Sequence, residues 1–181
     1  YIAYLQVAKR TGAVVEIVPD DEHGQVSIEE LKKSLGKGGG ALVGLTHTPT
    51  NGGLVNPAEE VGRLTREAGV PYLLDACQTA GQWPLDVETI GCDMLSGTGR
   101  KFLRGPRGTG FLYVRKTMIG KLEPPLLDLH AAKWVELDRF EIDPTASPNL
   151  WTAHFNLAPG ARLRIGPRVT TERRFGGVHF L

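Results

Sequence analysis

Two short segments constrain this chain more than any other: Tyr72-Leu-Leu-Asp-Ala-Cys-Gln-Thr-Ala80 and Ser96-Gly-Thr-Gly-Arg-Lys-Phe102. An apolar run from Val70 to Leu74 ends in Asp75, with Gln78 three residues on. A second run, Met94-Leu95, leads into a Ser/Gly/Thr turn and then Lys101. Apolar runs of this length, bounded by turn residues, read as buried strands. They would deliver an acid, an amide, a hydroxyl and a lysine to one edge of a sheet.

The remaining elements follow from local signals. Tyr1 to Arg10 places Ile2, Leu5 and Val7 on a helical stripe that Thr11-Gly12 ends. Residues 13–18 (AVVEIV) are rich in β-branched side chains and read as a buried strand before Pro19. Ser27-Ile-Glu-Glu30 is a capping box for a helix carrying Leu31 and Leu35. Residues 41–46 form the next predicted strand, followed by the loop His47-Thr-Pro-Thr-Asn-Gly-Gly53. Asn56-Pro57 opens a helix through Ala68, with Gly69 as its stop signal. A short helix or turn is expected within 79–90, a strand at Asp93–Leu95, and another at Gly110–Val114.

Strands alternating with helices predict an α/β layer architecture with a largely parallel sheet. In such sheets ligands gather beyond the carboxyl ends of the strands. The segments 47–53, 75–78 and 96–101 all follow predicted strands, so they converge on one edge.

Composition narrows the function classes. The 181 residues are 41% hydrophobic and 23% charged with a formal charge of +1, which gives no general argument for nucleic acid or an anionic membrane as partner. No apolar run approaches the ~20 residues that span a bilayer. Cys77 and Cys92 have neither zinc spacing nor a disulfide framework, so no metal site is expected and a reducing cytoplasm is the default. From Trp151 the chain carries Arg162, Arg164, Arg168, Arg173 and Arg174 against one acid, Glu172, with scattered prolines. Low order is expected there. The division is therefore 1–143 as one folded unit and 144–181 as an atypical Arg/Pro-rich tail.

Taken singly, each candidate residue has an ordinary explanation. Lys101 reads as a solvated surface charge, Asp75 as a cap, Gln78 as a surface amide, and Thr98 between Gly97 and Gly99 as a turn. Arg104 and Arg107 read as turn charges, Cys77 as small packing, and His47 as a structural loop-entry residue ahead of a catalytic one. Thr50 and Asn51 suit a loop as well as a ligand. Taken together they suit a cofactor with a basic ring nitrogen, a phosphate and an aldehyde. Pyridoxal phosphate has all three. Lys101 would hold the aldehyde as a Schiff base, and Asp75 would pair with the ring nitrogen. The hydroxyl of Thr98, the backbone donors of the glycines and the charge of Arg100 would hold the phosphate.

Asp75-Ala-Cys-Gln78, followed by Lys101 within Ser96-Gly-Thr-Gly-Arg-Lys-Phe-Leu-Arg-Gly-Pro-Arg-Gly-Thr-Gly-Phe-Leu-Tyr113, resembles the class V aminotransferases. These fold type I pyridoxal-phosphate enzymes include cysteine desulfurases, isopenicillin-epimerase-like proteins and C–S lyases. The similarity runs from about Tyr1 to about Phe140. It implies an incomplete three-layer α/β/α large domain with a mainly parallel sheet, acting on an amino acid, and a homodimer in full-length form. It further implies that Lys101 relays the substrate α-proton, Gln78 binds the phenolic oxygen and Thr98 the phosphate. Arg100 stands where desulfurases usually carry His. Thr50 rather than Asn51 aligns with their cofactor-binding Asn, which brings the loop closer to the epimerase-like and C–S-lyase-like branch.

The resemblance also implies missing parts. A ring-stacking residue and a first phosphate loop are expected upstream of Tyr1, and a small domain with a carboxylate-gripping Arg after Glu141. The tail reads instead as a frameshift or truncated gene. The expectation is therefore a transaminase or C–S/β-eliminating lyase. The alternatives are a catalytically inactive truncated remnant and, from another class, a protein binding through the basic tail.

Overall fold

The computed structural model describes residues 2–122, 132–142, 153–155 and 178–180. Its centre is a four-stranded sheet in the order β1 (Val43–Thr46), β2 (Tyr72–Asp75), β3 (Met94–Thr98) and β4 (Gly110–Val114). The first two pairings are parallel and the third is antiparallel, so the sheet is mixed and mainly parallel. Helices occupy the connections, as parallel crossovers require. Apart from the three-residue strands Ala153–Phe155 and Val178–Phe180, which pair antiparallel, the tail from 144, with its arginines, lies outside the described residues.

The core lies under one face of the sheet. Tyr72 and Leu74 are fully buried, and with Leu95 they meet Val61 and Leu64 of the helix Ala58–Ala68. Full burial of one such aliphatic side chain contributes about 1.5–3 kcal/mol. Gly62 sits in that helix because a Cβ there would run into the Ile90 carbonyl at the end of the short helix Val87–Ile90. Gly69 adopts φ 67° and closes the longer helix, as its sequence position suggests.

The helix Ile28–Gly36 begins where the capping signal puts it, but only half the box is made. Ser27 Oγ accepts from the Glu30 N–H at 3.3 Å, whereas the Ser27 N–H donates to the Pro19 carbonyl at 2.9 Å. The Glu30 carboxylate is free to pair with Lys33 at 2.6 Å. A first helix, Ile2–Thr11, approaches the opposite face of the sheet through Tyr4, which lies against Gly44. The order of layers is thus helix, sheet, helix.

Two expectations need correction. Residues 13–18 form no strand, and Val14 and Ile17 are 90% and 68% exposed. β-branched residues favour a strand only where a pleated, half-buried surface receives them. Among the described residues nothing offers this segment a ladder. The third strand, in contrast, runs past Leu95 to Thr98, because Ser96, Gly97 and Thr98 pair with Leu112, Phe111 and Gly110. Thr98 therefore ends a strand and does not lie in a turn.

Candidate functional site

Alternation along the strands decides which side chains can meet. Tyr72 and Leu74 point into the core, so Asp75 points to the other face. Register carries the same face across the sheet, from Thr46 to Asp75 to Ser96, and two residues further along to Thr98. The carboxyl ends of three strands thus hold hydroxyls around one carboxylate.

Asp75 is fixed by the turn that follows it. Its Oδ1 accepts from the Cys77 N–H at 2.9 Å, an Asx-type closure that leaves the carboxylate at the sheet edge. The Cys77 thiol lies in the same group. Burial, a hydrogen bond to Asp75 and that residue's charge push it up to about 11, against opposing effects of Lys101 and Ser96. Cys77 is thus a protonated, half-buried packing residue, and its surroundings show that Asp75, Ser96 and Lys101 are neighbours.

Gln78 reaches across to the loop after β1. Its Nε2 donates to Thr50 Oγ1 at 3.0 Å, joining two of the three site loops. Asn51 is exposed beside Thr50.

Lys101 is presented by a hairpin loop. The Gly99 N–H donates to the Thr109 carbonyl at 2.7 Å and the Gly105 N–H to the Gly99 carbonyl at 2.7 Å, which closes the loop at its base. Its outer part rests on Gly81, where a Cβ would come within 2.7 Å of the Phe102 backbone. Arg104 takes φ 55°, a left-handed conformation uncommon outside glycine, where the loop turns back. Arg100 is exposed on this loop, as are Arg104 and Arg107, while Lys101 is half-buried.

His47 belongs elsewhere. It follows Thr46, so alternation turns its side chain to the core face, and it is only 7% exposed there. Burial lowers its pKa, with Glu59 opposing the shift. Its backbone N–H still serves the site indirectly, donating to the Asp75 carbonyl at 3.0 Å.

Asn56 has a larger structural part than its sequence position as a helix-start signal suggests. It is buried, its Nδ2 donates to the Thr46 carbonyl at 2.8 Å, and its Oδ1 accepts from the Val26 N–H at 2.9 Å. An Asn-Pro pair before a helix was the available signal, and it marked only the boundary. Among the described residues no group of acids, histidines and cysteines is arranged to hold a metal ion. The donor set of one carboxylate, an amide, hydroxyls and an amine fits an organic group with a basic nitrogen, a phosphate and an aldehyde, whereas the Gly99 and Gly105 N–H groups expected to help hold a phosphate are spent closing the loop.

Fold and site together define a class, and the family profile agrees: residues 1–147 match Aminotransferase class-V, and the chain belongs to that family. The particular relatives are narrower. A probable cysteine desulfurase of Synechocystis is 39% identical over 123 residues, covering 68% of this chain and 29% of that protein. One of Pyrococcus abyssi is 29% identical over 170 residues, covering 89% of this chain and 41% of the relative. The apo structure of a cysteine desulfurase from Thermococcus onnurineus superposes with a TM-score of 0.71 at 27% identity, covering 80% of this chain and 36% of that one. The chain thus spans between 29% and 41% of the length of these proteins.

Proposed function

We propose that this chain carries the lysine-bearing part of a pyridoxal-phosphate-dependent enzyme that breaks a carbon–sulfur bond in an amino acid such as cysteine. The observation that carries the reading is the convergence of Asp75, Thr98 and Lys101 at one sheet edge in a chain whose relatives are named cysteine desulfurases. When bound, pyridoxal phosphate supplies an aldehyde that condenses with amines and a ring that takes up the electron pair left on carbon.

The chain's own residues do the rest. Lys101 Nζ would hold the cofactor's aldehyde and would accept and return the α-proton of the substrate. Asp75 would pair with the ring nitrogen and keep a proton there. Gln78, whose Nε2 donates to Thr50 Oγ1, would also donate to the phenolic oxygen. Thr98 would hold the phosphate, with Arg100 adding charge. Burial pushes the Cys77 and Cys92 thiols up to about 11, which disfavours their thiolates near neutrality. The full-length homodimer and a cytoplasmic setting belong to the same proposal; among the described residues no helix is long and apolar enough to cross a membrane.

The test is the full-length protein supplied with pyridoxal phosphate and cysteine. Sulfide or transferable sulfur that appears with the wild type and vanishes in Lys101→Ala, together with a lysine-dependent visible absorbance, is the expected result. A keto acid formed with sulfur retained would move the reading to transamination. Absorbance without any turnover would indicate an inactive remnant.

A further inference from the structure

A cavity of about 690 Å³ lies between the start of helix Ala58–Ala68 and the turn that leads into helix Val87–Ile90. Asp75, Gln78, Thr98 and Lys101 do not line it, whereas His47 does. The imidazole that alternation turns away from Asp75 is therefore part of this wall. His47 is 7% exposed, and its Nδ1 has no hydrogen-bond partner among the described residues. Buried polar atoms are nearly always paired. An unpaired ring nitrogen in a side chain that lines a cavity points to a partner the chain itself does not supply.

The charge of the wall decides what kind of partner fits. Glu59, Glu60 and Asp86 line the cavity, and no lysine or arginine does. Glu59 makes no ion pair among the described residues, and Glu60 meets Arg63 only at 3.9 Å. Asp86 Oδ1 caps the short helix, accepting from the Glu88 and Thr89 N–H groups at 2.8 and 3.3 Å. The N-terminus of helix Ala58–Ala68 contributes about half a positive charge, which three carboxylates outweigh. A cation is favoured over an anion. Trp83, 52% exposed, adds an indole, and Pro84 and Leu85 add apolar wall. A guanidinium suits such a lining: it is planar and weakly hydrated, stacks on aromatic rings and forks to carboxylates. It only donates, which matches an accepting nitrogen of neutral imidazole. Burial lowers the His47 pKa, with Glu59 opposing, and so favours that neutral form.

We propose that this cavity binds a small guanidinium-bearing molecule, stacked on Trp83, countered by Glu59 and Asp86, and accepted by the His47 ring. The volume lies within the ~300–1,000 Å³ typical of small-molecule pockets, which favours a free ligand over a segment of another protein. The site goes beyond the pyridoxal-phosphate reading and does not rest on it. Its residues belong to the start of one helix, the entry to another and the end of β1, so it is built on the same frame as the Lys101 edge without sharing a side chain named there.

The experiment titrates the full-length protein calorimetrically with butylguanidinium and with butylurea, its uncharged counterpart of the same shape. Butylguanidinium should bind saturably, and butylurea at least about 5-fold more weakly. Trp83→Leu and His47→Phe should each weaken butylguanidinium by about 3- to 10-fold. Asp86→Asn, which still caps its helix, should weaken it by about 2- to 5-fold. Lys101→Ala should bind as the wild type does, because a guanidinium does not condense with the aldehyde of the cofactor. A wild type that binds neither probe, equal binding of the two probes, or a loss in Lys101→Ala would overturn the proposal. So would unchanged binding in both Trp83→Leu and Asp86→Asn. Tighter binding of an acetylated, amidated arginine than of butylguanidinium would assign the cavity to a protein-borne arginine and overturn the small-molecule assignment. Trp83 and Asp86 are exposed, so their variants remain decisive if His47→Phe fails to fold. Absence of a lysine-dependent absorbance with pyridoxal phosphate would overturn the cofactor reading alone and leave these outcomes unchanged.

Discussion

Asn56 donates its side-chain amide to the carbonyl of Thr46 at 2.8 Å, across the base of the loop that carries Thr50. The same loop is closed by the Asn56 N–H donating to the His47 carbonyl at 2.8 Å. Replacing Asn56 by Ala removes a donor and an acceptor that are both part-buried. The expected loss is about 2–4 kcal/mol of folding stability, measured by urea denaturation. Asn56→Asp should recover little, because a carboxylate cannot donate to Thr46.

Gly81→Ala should act on the Lys101 loop. Gly81 has φ 94°, and a Cβ there meets the Phe102 backbone within 2.7 Å. Strain and clash together should cost about 2 kcal/mol or more. The sharper check is the rate at which an amine-directed aldehyde reagent labels Lys101, which should change more than labelling of Lys9.

Cys77 should be slow toward alkylating reagents. With its thiol pushed up to about 11, the thiolate is scarce at neutral pH, and labelling should keep accelerating well above pH 9. Asp75→Asn removes the hydrogen-bonded negative charge and should raise the labelling rate at pH 8. An unchanged rate would show that Asp75 does not hold the thiol.

His47 sets an acid limit. Its folded value lies below the ordinary 6.5, so in the window beneath 6.5 the unfolded chain binds the extra proton more readily. Stability attributable to His47 is therefore present above that window and is lost as pH falls through it. His47→Gln should flatten this part of the stability–pH profile, as read from thermal midpoints between pH 7 and 5.

Much of the frame was legible because its signals are local. Ser27 before an apolar periodic run, Gly69 after one, and Asp75 at the end of a third all mark boundaries that the backbone needs whatever lies around them. The strand expected at residues 13–18 shows where this stops, since strand propensity is satisfied only by a partner that the sequence does not name. The side-chain direction of His47 was hidden for a related reason: at a loop entry, one residue of register exchanges core for site. Tyr4 stood outside the stripe of Ile2, Leu5 and Val7, and its seat became apparent only through Gly44 opposite. The convergence of 47–53, 75–78 and 96–101 could be foreseen because parallel strands put their following loops at one edge. The antiparallel return of β4, which lengthens β3 through Thr98, could not.

That return has a consequence for the order in which the site is assembled. The loop carrying Lys101 is a hairpin between neighbouring strands, closed by contacts ten or so residues apart. Asp75 reaches the same edge only after the helix crossover from β1 and the shorter connection to β3 have formed. Contacts of short sequence separation are the faster to form, so the amine should be in place before the acid. A chain arrested partway through folding would present a lysine with no counter-charge beyond it, able to trap aldehydes indiscriminately.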